Sequence, residues 1–384
     1  MNNFDLVAFR KGKNSYKWDI KEHELPMFVA DQDFMCFKPV YDQILEDAKV
    51  MAYGYTYVPD NYFDAYHHWF LKVHNIDYKQ EDMQFSEGVI ATISSVVRHL
   101  LKNGDNVTML TPIYNTFYNS VLNNGCKVIE CPFDYIDGEY SINYESLEKC
   151  FKKSKMFIFC NPHNPIGMVF KKEDIQKISE LVIKYDLIVI SDEIHCDFLQ
   201  DGASYISFAN YSEENKRRTI TCIAPSKTFN LAGLKSSVVV VSNPDLRYKV
   251  KRAINTDEVA EPGYFAIYPV IKAYNEGFDY VCELNEYIWQ NKLLCKEYID
   301  KNIPLLKYKL QKSLYLIWLD ASFYQRADLA EYIRNETGLI LSSGSIYGEG
   351  GKYFLRMNLA TSKENVLDGL NRLKKALDKL QIGG

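Results

Sequence analysis

The chain has 384 residues, a net charge of −5 at pH 7, 47% hydrophobic residues and 25% charged ones. That length exceeds what one hydrophobic core usually serves and predicts two domains, and the acidic balance argues against nucleic acid, whose phosphates need a basic face. The start, Met1-Asn2-Asn3-Phe4-Asp5, lacks the pattern of a signal peptide and no apolar run approaches the ~20 residues that span a bilayer. Nine cysteines with no C-x-x-C pair read as reduced thiols, so a cytoplasmic location is expected.

Residues 1–40 are irregular, with an apolar Pro26-Met27-Phe28-Val29-Ala30-Asp31, and read as an extended arm on a larger body. Residues 40–51 have helical periodicity, residues 53–60 break it, and residues 62–73 form an amphipathic helix. His67 and His68 are adjacent there, cannot share a helix face, and read as structural. Phe85-Ser86-Glu87-Gly88 leads into a helix over 91–101, whose free backbone N–H groups suit a phosphate. Strands follow at 106–110, before Thr111-Pro112-Ile113-Tyr114, and at 127–131. Tyr144–Phe151 is a helix, 155–160 a strand, 172–185 a helix, and 187–191, 219–224 and 237–242 are strands. Short unalternating apolar runs separated by helices predict βαβ units and a mostly parallel sheet buried on both faces.

From 265 to 298 the pattern is helical, interrupted by Asn275-Glu276-Gly277, and here the chain is expected to pass into its second domain. Strand, helix and strand follow at 315–319, 327–337 and 353–358, then a helix at 363–380. The Gly-rich Ser343-Gly344-Ser345-Ile346-Tyr347-Gly348-Glu349-Gly350-Gly351 is not a nucleotide-binding signature, because the strand–G-x-G-x-x-G–helix order is missing.

Three apolar strands end in polar tips. They are Phe159-Cys160-Asn161-Pro162-His163-Asn164-Pro165-Ile166-Gly167, Ile188-Val189-Ile190-Ser191-Asp192-Glu193-Ile194-His195, and Ile223-Ala224-Pro225-Ser226-Lys227-Thr228-Phe229-Asn230. Taken alone, Lys227 reads as a solvated surface charge, Asp192 as a helix cap and Asn-Pro as a common turn. Together they offer an amine, an acid and an amide in order. This combination resembles the pyridoxal-phosphate site of the aspartate-aminotransferase superfamily, and within it the cystathionine β-lyase-like C–S lyases.

The resemblance covers nearly the whole chain. It implies an α/β, fold type I enzyme, with a large domain built on a mostly parallel seven-stranded sheet between helices and a smaller α+β domain. The expected division is an arm with part of the small domain over 1–45, the large domain over 46–280 and the small domain over 281–384. Lys227 would hold pyridoxal 5′-phosphate covalently and act as base, Asp192 would pair the ring nitrogen, and Asn164 would donate to the ring 3′-oxygen and contact substrate. Tyr114 would stack on the ring. His195 would lie beside it, where many aminotransferases carry tyrosine. Gly88, Val89, Ile90, Ser226 and Lys235 would hold the phosphate, although relatives often carry arginine in place of Lys235 and serine in place of Ala224; lysine lacks the bidentate fork. Tyr55 would reach the phosphate of a neighbouring subunit, implying a homodimer with shared sites. Arg356 would bind the substrate α-carboxylate, and Ala30 would contact it from the motif Pro26-Met27-Phe28-Val29-Ala30-Asp31-Gln32-Asp33-Phe34, similar to the family's P-M-W-V-A-D-M-D-F.

The implied reaction is β-elimination from L-cystathionine or an L-cysteine-type amino acid, giving a thiol, pyruvate and ammonia. The alternatives are an aminotransferase, which shares the same lysine, aspartate and arginine, and a non-catalytic regulatory protein on the same fold. His163 and His195 lack metal-ligand spacing, and no metal is expected.

Overall fold

The structure, a computed structural model, describes residues 2–382. Seven strands form the central sheet: β1 (Met83–Ser86), β2 (Asn106–Thr111), β3 (Lys127–Pro132), β4 (Met156–Cys160), β5 (Ile188–Asp192), β6 (Thr219–Ile223) and β7 (Ser237–Val240). Their spatial order is β1-β7-β6-β5-β4-β2-β3. β7 runs antiparallel to both its neighbours, and every other pairing is parallel. The inner strands read as unbroken apolar runs because helices cover both faces. All five residues of β4 are buried, as are all five of β6. Burying a side chain such as Phe157 contributes about 1.5–3 kcal/mol.

Register decides where the polar tips emerge. Cys160 pairs with Asp192, and Asp192 with Cys222. The C-terminal ends of β4, β5 and β6 are therefore level, and the loops carrying Asn164, Asp192 and Lys227 leave the same edge, where open α/β sheets bind ligands.

A second, antiparallel sheet contains β8 (Lys307–Tyr308), β9 (Leu316–Asp320), β10 (Ser342–Ser343) and β11 (Phe354–Asn358), in the order β8-β9-β11-β10. It packs with the helices Leu329–Thr337 and Lys363–Ile382 around its own apolar cluster. The helical stretch expected over 265–298 is divided. Gly277 separates the helices Tyr268–Glu276 and Phe278–Asn302. A Cβ on Gly277 would lie 2.3 Å from the Phe229 ring and from Ala273 O, so glycine permits that close approach. The 25-residue helix after it joins the two cores: Leu284 and Ile288 sit in the large cluster, Cys295 and Ile299 in the small one. Between them lies buried Lys292, whose Nζ donates to Gln200 Oε1, Gln311 O and Ser313 O at 2.9, 2.9 and 2.6 Å.

The arm is tied to both halves. Leu25–Pro26 pairs in parallel with Leu339–Ile340, whereas Phe4 and Phe34 enter the large cluster. The longer helices absent from the sequence reading are Thr116–Leu122 and Pro244–Thr256; the one-turn helices Glu213–Lys216 and Pro225–Thr228 are absent from it too. Pro244–Thr256 carried a legible signal: Asn243 caps it, accepting from Asp245 N and Leu246 N, with Pro244 at the first helical position.

Candidate active site

At the C-terminal edge of the sheet lies a cavity of about 330 Å³, a size typical of a cofactor site. Lys227 stands in a one-turn helix, Pro225–Thr228, directly after β6. Pro225 sets the turn, and Ala224 before it is extended. Lys227 Nζ donates to Ala30 O at 2.7 Å. Burial lowers its pKa to about 8; Arg356 pushes the same way, against Asp31 and Asp192. A sizeable unprotonated fraction near neutral pH is what a nucleophilic amine needs.

Asp192 ends β5 and is 3% exposed. Burial raises its carboxyl to about 7, while the Ile194 N–H, 3.1 Å from Oδ1, and the Lys227 charge oppose the rise. Such a carboxylate is poised for a cationic partner. His195 is also buried, and burial, Lys227 and Arg356 all hold it well below the usual imidazole value. It is therefore neutral, and its Nδ1 is buried without a hydrogen-bond partner. Glu193 points elsewhere: Ser191, Ser207 and Phe208 N donate to its Oε1.

Asn164 and Arg356 meet, with Arg356 Nη1 donating to Asn164 Oδ1 at 3.2 Å. Arg356, on β11, is 4% exposed. Its Nη2 donates to Phe28 O at 2.9 Å, its guanidinium lies 5.0 Å from the centre of the Tyr347 ring, and its buried Nε has no partner. On another wall the helix Val89–Leu100 begins at Gly88. Its first N–H groups have no intrahelical acceptor, and open space lies over Gly88. Val89, Ile90, Ser226 and Lys235 line that end, and Tyr114 lines the cavity too. The walls thus combine an amine, a buried acid, an amide and an anion cradle, a set that fits a planar, phosphorylated aldehyde with a basic ring nitrogen.

Of the expected site residues, Tyr55 and Arg356 do not line this cavity: Tyr55 is fully exposed at 105%, whereas Arg356 is buried behind Asn164, to which it is hydrogen-bonded. His67 and His163 serve the framework: His67 Nδ1 lies 2.8 Å from Tyr78 O, and His163 sits between Cys160 O and Pro112 O. Among the described residues His74, Cys196 and Asp197 are close enough to share a metal ion. The Asp197 carboxylate is already taken by Trp69, His74 and Thr228, at 3.0, 2.7 and 2.6 Å.

Several site residues escaped sequence reasoning. Tyr315 donates its hydroxyl to Ala30 O at 2.9 Å. Asn358 Nδ2 donates to Val29 O and Asp31 O, and Gln32 and Asn230 bond to each other. These contacts join positions some 200 to 330 residues apart, and no local pattern marks them.

A seven-stranded α/β sheet of this order, with this set of groups at its edge, is that of fold type I pyridoxal-phosphate-dependent enzymes. The chain belongs to the aminotransferase class I and II family, whose model matches residues 29–373. It is similar to the cystathionine beta-lyase PatB of Bacillus subtilis, at 34% identity over 98% of this chain and 100% of PatB. Among solved structures, cystalysin from Treponema denticola with pyridoxal 5′-phosphate matches at a TM-score of 0.94 and 30% identity, covering 99% of this chain and 100% of that one. A pyridoxal-phosphate-bound C–S lyase from Staphylococcus hominis, complexed with L-cycloserine, matches at 0.92 and 28%, over 98% of both chains.

Proposed function

We propose that the chain is a pyridoxal-phosphate-dependent C–S β-lyase that cleaves an L-cystathionine- or L-cysteine-type amino acid to a thiol or sulfide, pyruvate and ammonia. The convergence of Lys227, Asp192 and Asn164 on one cavity, with Arg356 hydrogen-bonded to Asn164 beside it, carries this reading. When bound, the cofactor supplies an aldehyde that condenses with amines and a ring that accepts electrons. Lys227 would be its covalent anchor. Asp192 would keep the ring nitrogen protonated, Asn164 would donate to the ring oxygen, and Tyr114 and the neutral His195 would flank the ring. The start of the helix at Gly88, Val89 and Ile90, with Ser226 and Lys235, would hold the phosphate.

Arg356 receives the substrate carboxylate, for which a fork is suited, and the Phe28–Ala30 backbone closes that end. This would turn the Cα–H toward Lys227. Lys227 Nζ, partly unprotonated because it is buried, would take the Cα proton. The electron pair of that C–H bond would become a Cα=Cβ bond as the Cβ–S bond breaks, the thiolate leaving with the sulfur electron pair, and water would hydrolyse the released 2-aminoacrylate to pyruvate and ammonia.

An aminotransferase would need the same four residues. The lyase is preferred because PatB is named a cystathionine beta-lyase and the Staphylococcus hominis enzyme a C–S lyase, and both match this chain from end to end. A non-catalytic role would leave a complete lysine, aspartate and arginine set without purpose. The test is incubation of purified protein and cofactor with L-cystathionine, without a keto acid. Pyruvate and a free thiol are expected; product only after 2-oxoglutarate is added would refute the lyase reading.

The active unit is proposed to be a homodimer. Met51, Tyr55 and Tyr57 are exposed at 85%, 105% and 77% in a segment without regular structure, and Tyr55 would reach the partner's phosphate end. The division into 1–45, 46–280 and 281–384 is kept as the working domain scheme. No helix among the described residues is long and apolar enough to cross a membrane, which accords with a cytoplasmic enzyme.

A further inference from the structure

Residues 28–32 of the arm cross the edge of the central sheet and are held from two sides. From the small domain, Arg356 donates to Phe28 O, and Asn358 Nδ2 donates to Val29 O and Asp31 O at 2.6 and 2.7 Å. From the large domain, Lys227 Nζ donates to Ala30 O. Two residues further on, Gln32 Nε2 donates in the opposite sense, to Lys227 O at 2.6 Å and Thr228 O at 3.2 Å. Gln32 also exchanges a pair with Asn230: its N–H donates to Asn230 Oδ1 at 3.0 Å, and Asn230 Nδ2 donates to Gln32 O at 2.9 Å.

The helix bearing Lys227 is one turn long, closed by Phe229 N to Pro225 O, with Leu231 N on Ser226 O. The carbonyls of Lys227 and Thr228 lie beyond those bonds, and a helix end needs outside donors for such groups. Gln32, 1% exposed, supplies both. It does not line the cavity.

We propose that Gln32 is a positioning residue for Lys227. Its amide clamps the carbonyl end of the lysine while Ala30, on the same segment, receives the amine. Both ends of one residue are thereby referenced to the arm, and the arm in turn to Arg356. This rests on the role given to Lys227 above. A reacting group misplaced by about 1 Å loses on the order of 10²-fold in rate, so a clamp of this kind is worth a measurable factor.

The test uses the holoenzyme with Gln32→Met, which keeps the side-chain length and removes the donor. The expected result is a kcat about tenfold lower, equivalent to about 1.4 kcal/mol, with KM changed by less than about twofold. Independently of activity, the peptide containing Phe229 and Leu231 should exchange its amide hydrogens about tenfold faster. Gln32→Asn, one methylene shorter, should move both readouts in the same direction and serves if the methionine variant does not fold. Unchanged kcat and exchange in a folded variant overturn the proposal. So does a lower melting temperature with unchanged kcat, the mark of a purely structural contact. Lys227→Ala is measured alongside: if it retains the visible cofactor band as isolated, the lysine assignment fails, an outcome separate from either Gln32 result.

Discussion

Replacing Asp192 with asparagine is expected to stabilise the cofactor-free chain at pH 8 while disabling the loaded enzyme. Burial raises the Asp192 carboxyl from 3.8 to about 7. At about 1.4 kcal/mol per pKa unit, an ionised Asp192 costs the folded state about 4 kcal/mol. The sign follows from the protons bound. Between about pH 4 and 7 the folded chain keeps a proton that the unfolded chain has released, so this contribution to stability falls as pH rises through that window. Asparagine carries no such penalty. The variant's advantage over wild type should therefore grow by about 3 kcal/mol between pH 4.5 and pH 8. Urea unfolding of both cofactor-free proteins at the two pH values measures it. In the loaded enzyme the variant should lose on the order of 10²-fold or more in kcat, because the removed charge is the one that holds the ring proton. An advantage of equal size at both pH values would falsify the argument that burial outweighs the Ile194 N–H and Lys227 in governing this carboxylate.

Other substitutions test separate parts of the site and its support. Lys227→Ala should lack, as isolated, the visible absorption of the lysine-bound cofactor, which a spectrum without added amine detects. Arg356→Ala should raise KM for the amino acid on the order of 10²-fold, the loss of a charge-assisted pair of bonds, and leave cofactor content unchanged; loss of cofactor instead would count against the carboxylate role. Lys292→Met removes the donor to Gln200, Gln311 and Ser313, and equilibrium unfolding should show a loss of about 3 kcal/mol from stranded acceptors. Gly277→Ala drives a methyl into the Phe229 ring, and a loss of about 1–3 kcal/mol is expected.

Helices and inner strands were legible because their causes are local. The apolar run Ile188–Asp192 has no alternation, so it needs cover on both faces and reads as an inner parallel strand. Gly277 divides a helical stretch wherever it falls, and Asn243-Pro244 marks a helix start, although the helix it opens was passed over. β1 was also missed: Met83–Ser86 is too short to show a pattern, and becomes a strand only by pairing with β7.

For the site, residue order carried the amine, the acid and the amide, because each ends a strand and strand ends can be read from composition. Arg356 came from the resemblance of its strand to the family's, since a lone arginine on a strand reads equally well as a surface charge. Order along the chain could not place Gln32 against the Lys227 carbonyl, or Tyr315 against Ala30, since a hydrogen bond between distant positions leaves no periodicity in either segment. Nor could it show that Asp192 is buried deeply enough to hold its proton to about pH 7. Local chemistry along the chain determined which groups are present and which secondary elements bear them. Only the packed structure decided their distances, their hydration and therefore their protonation, because those depend on what the rest of the chain brings against them.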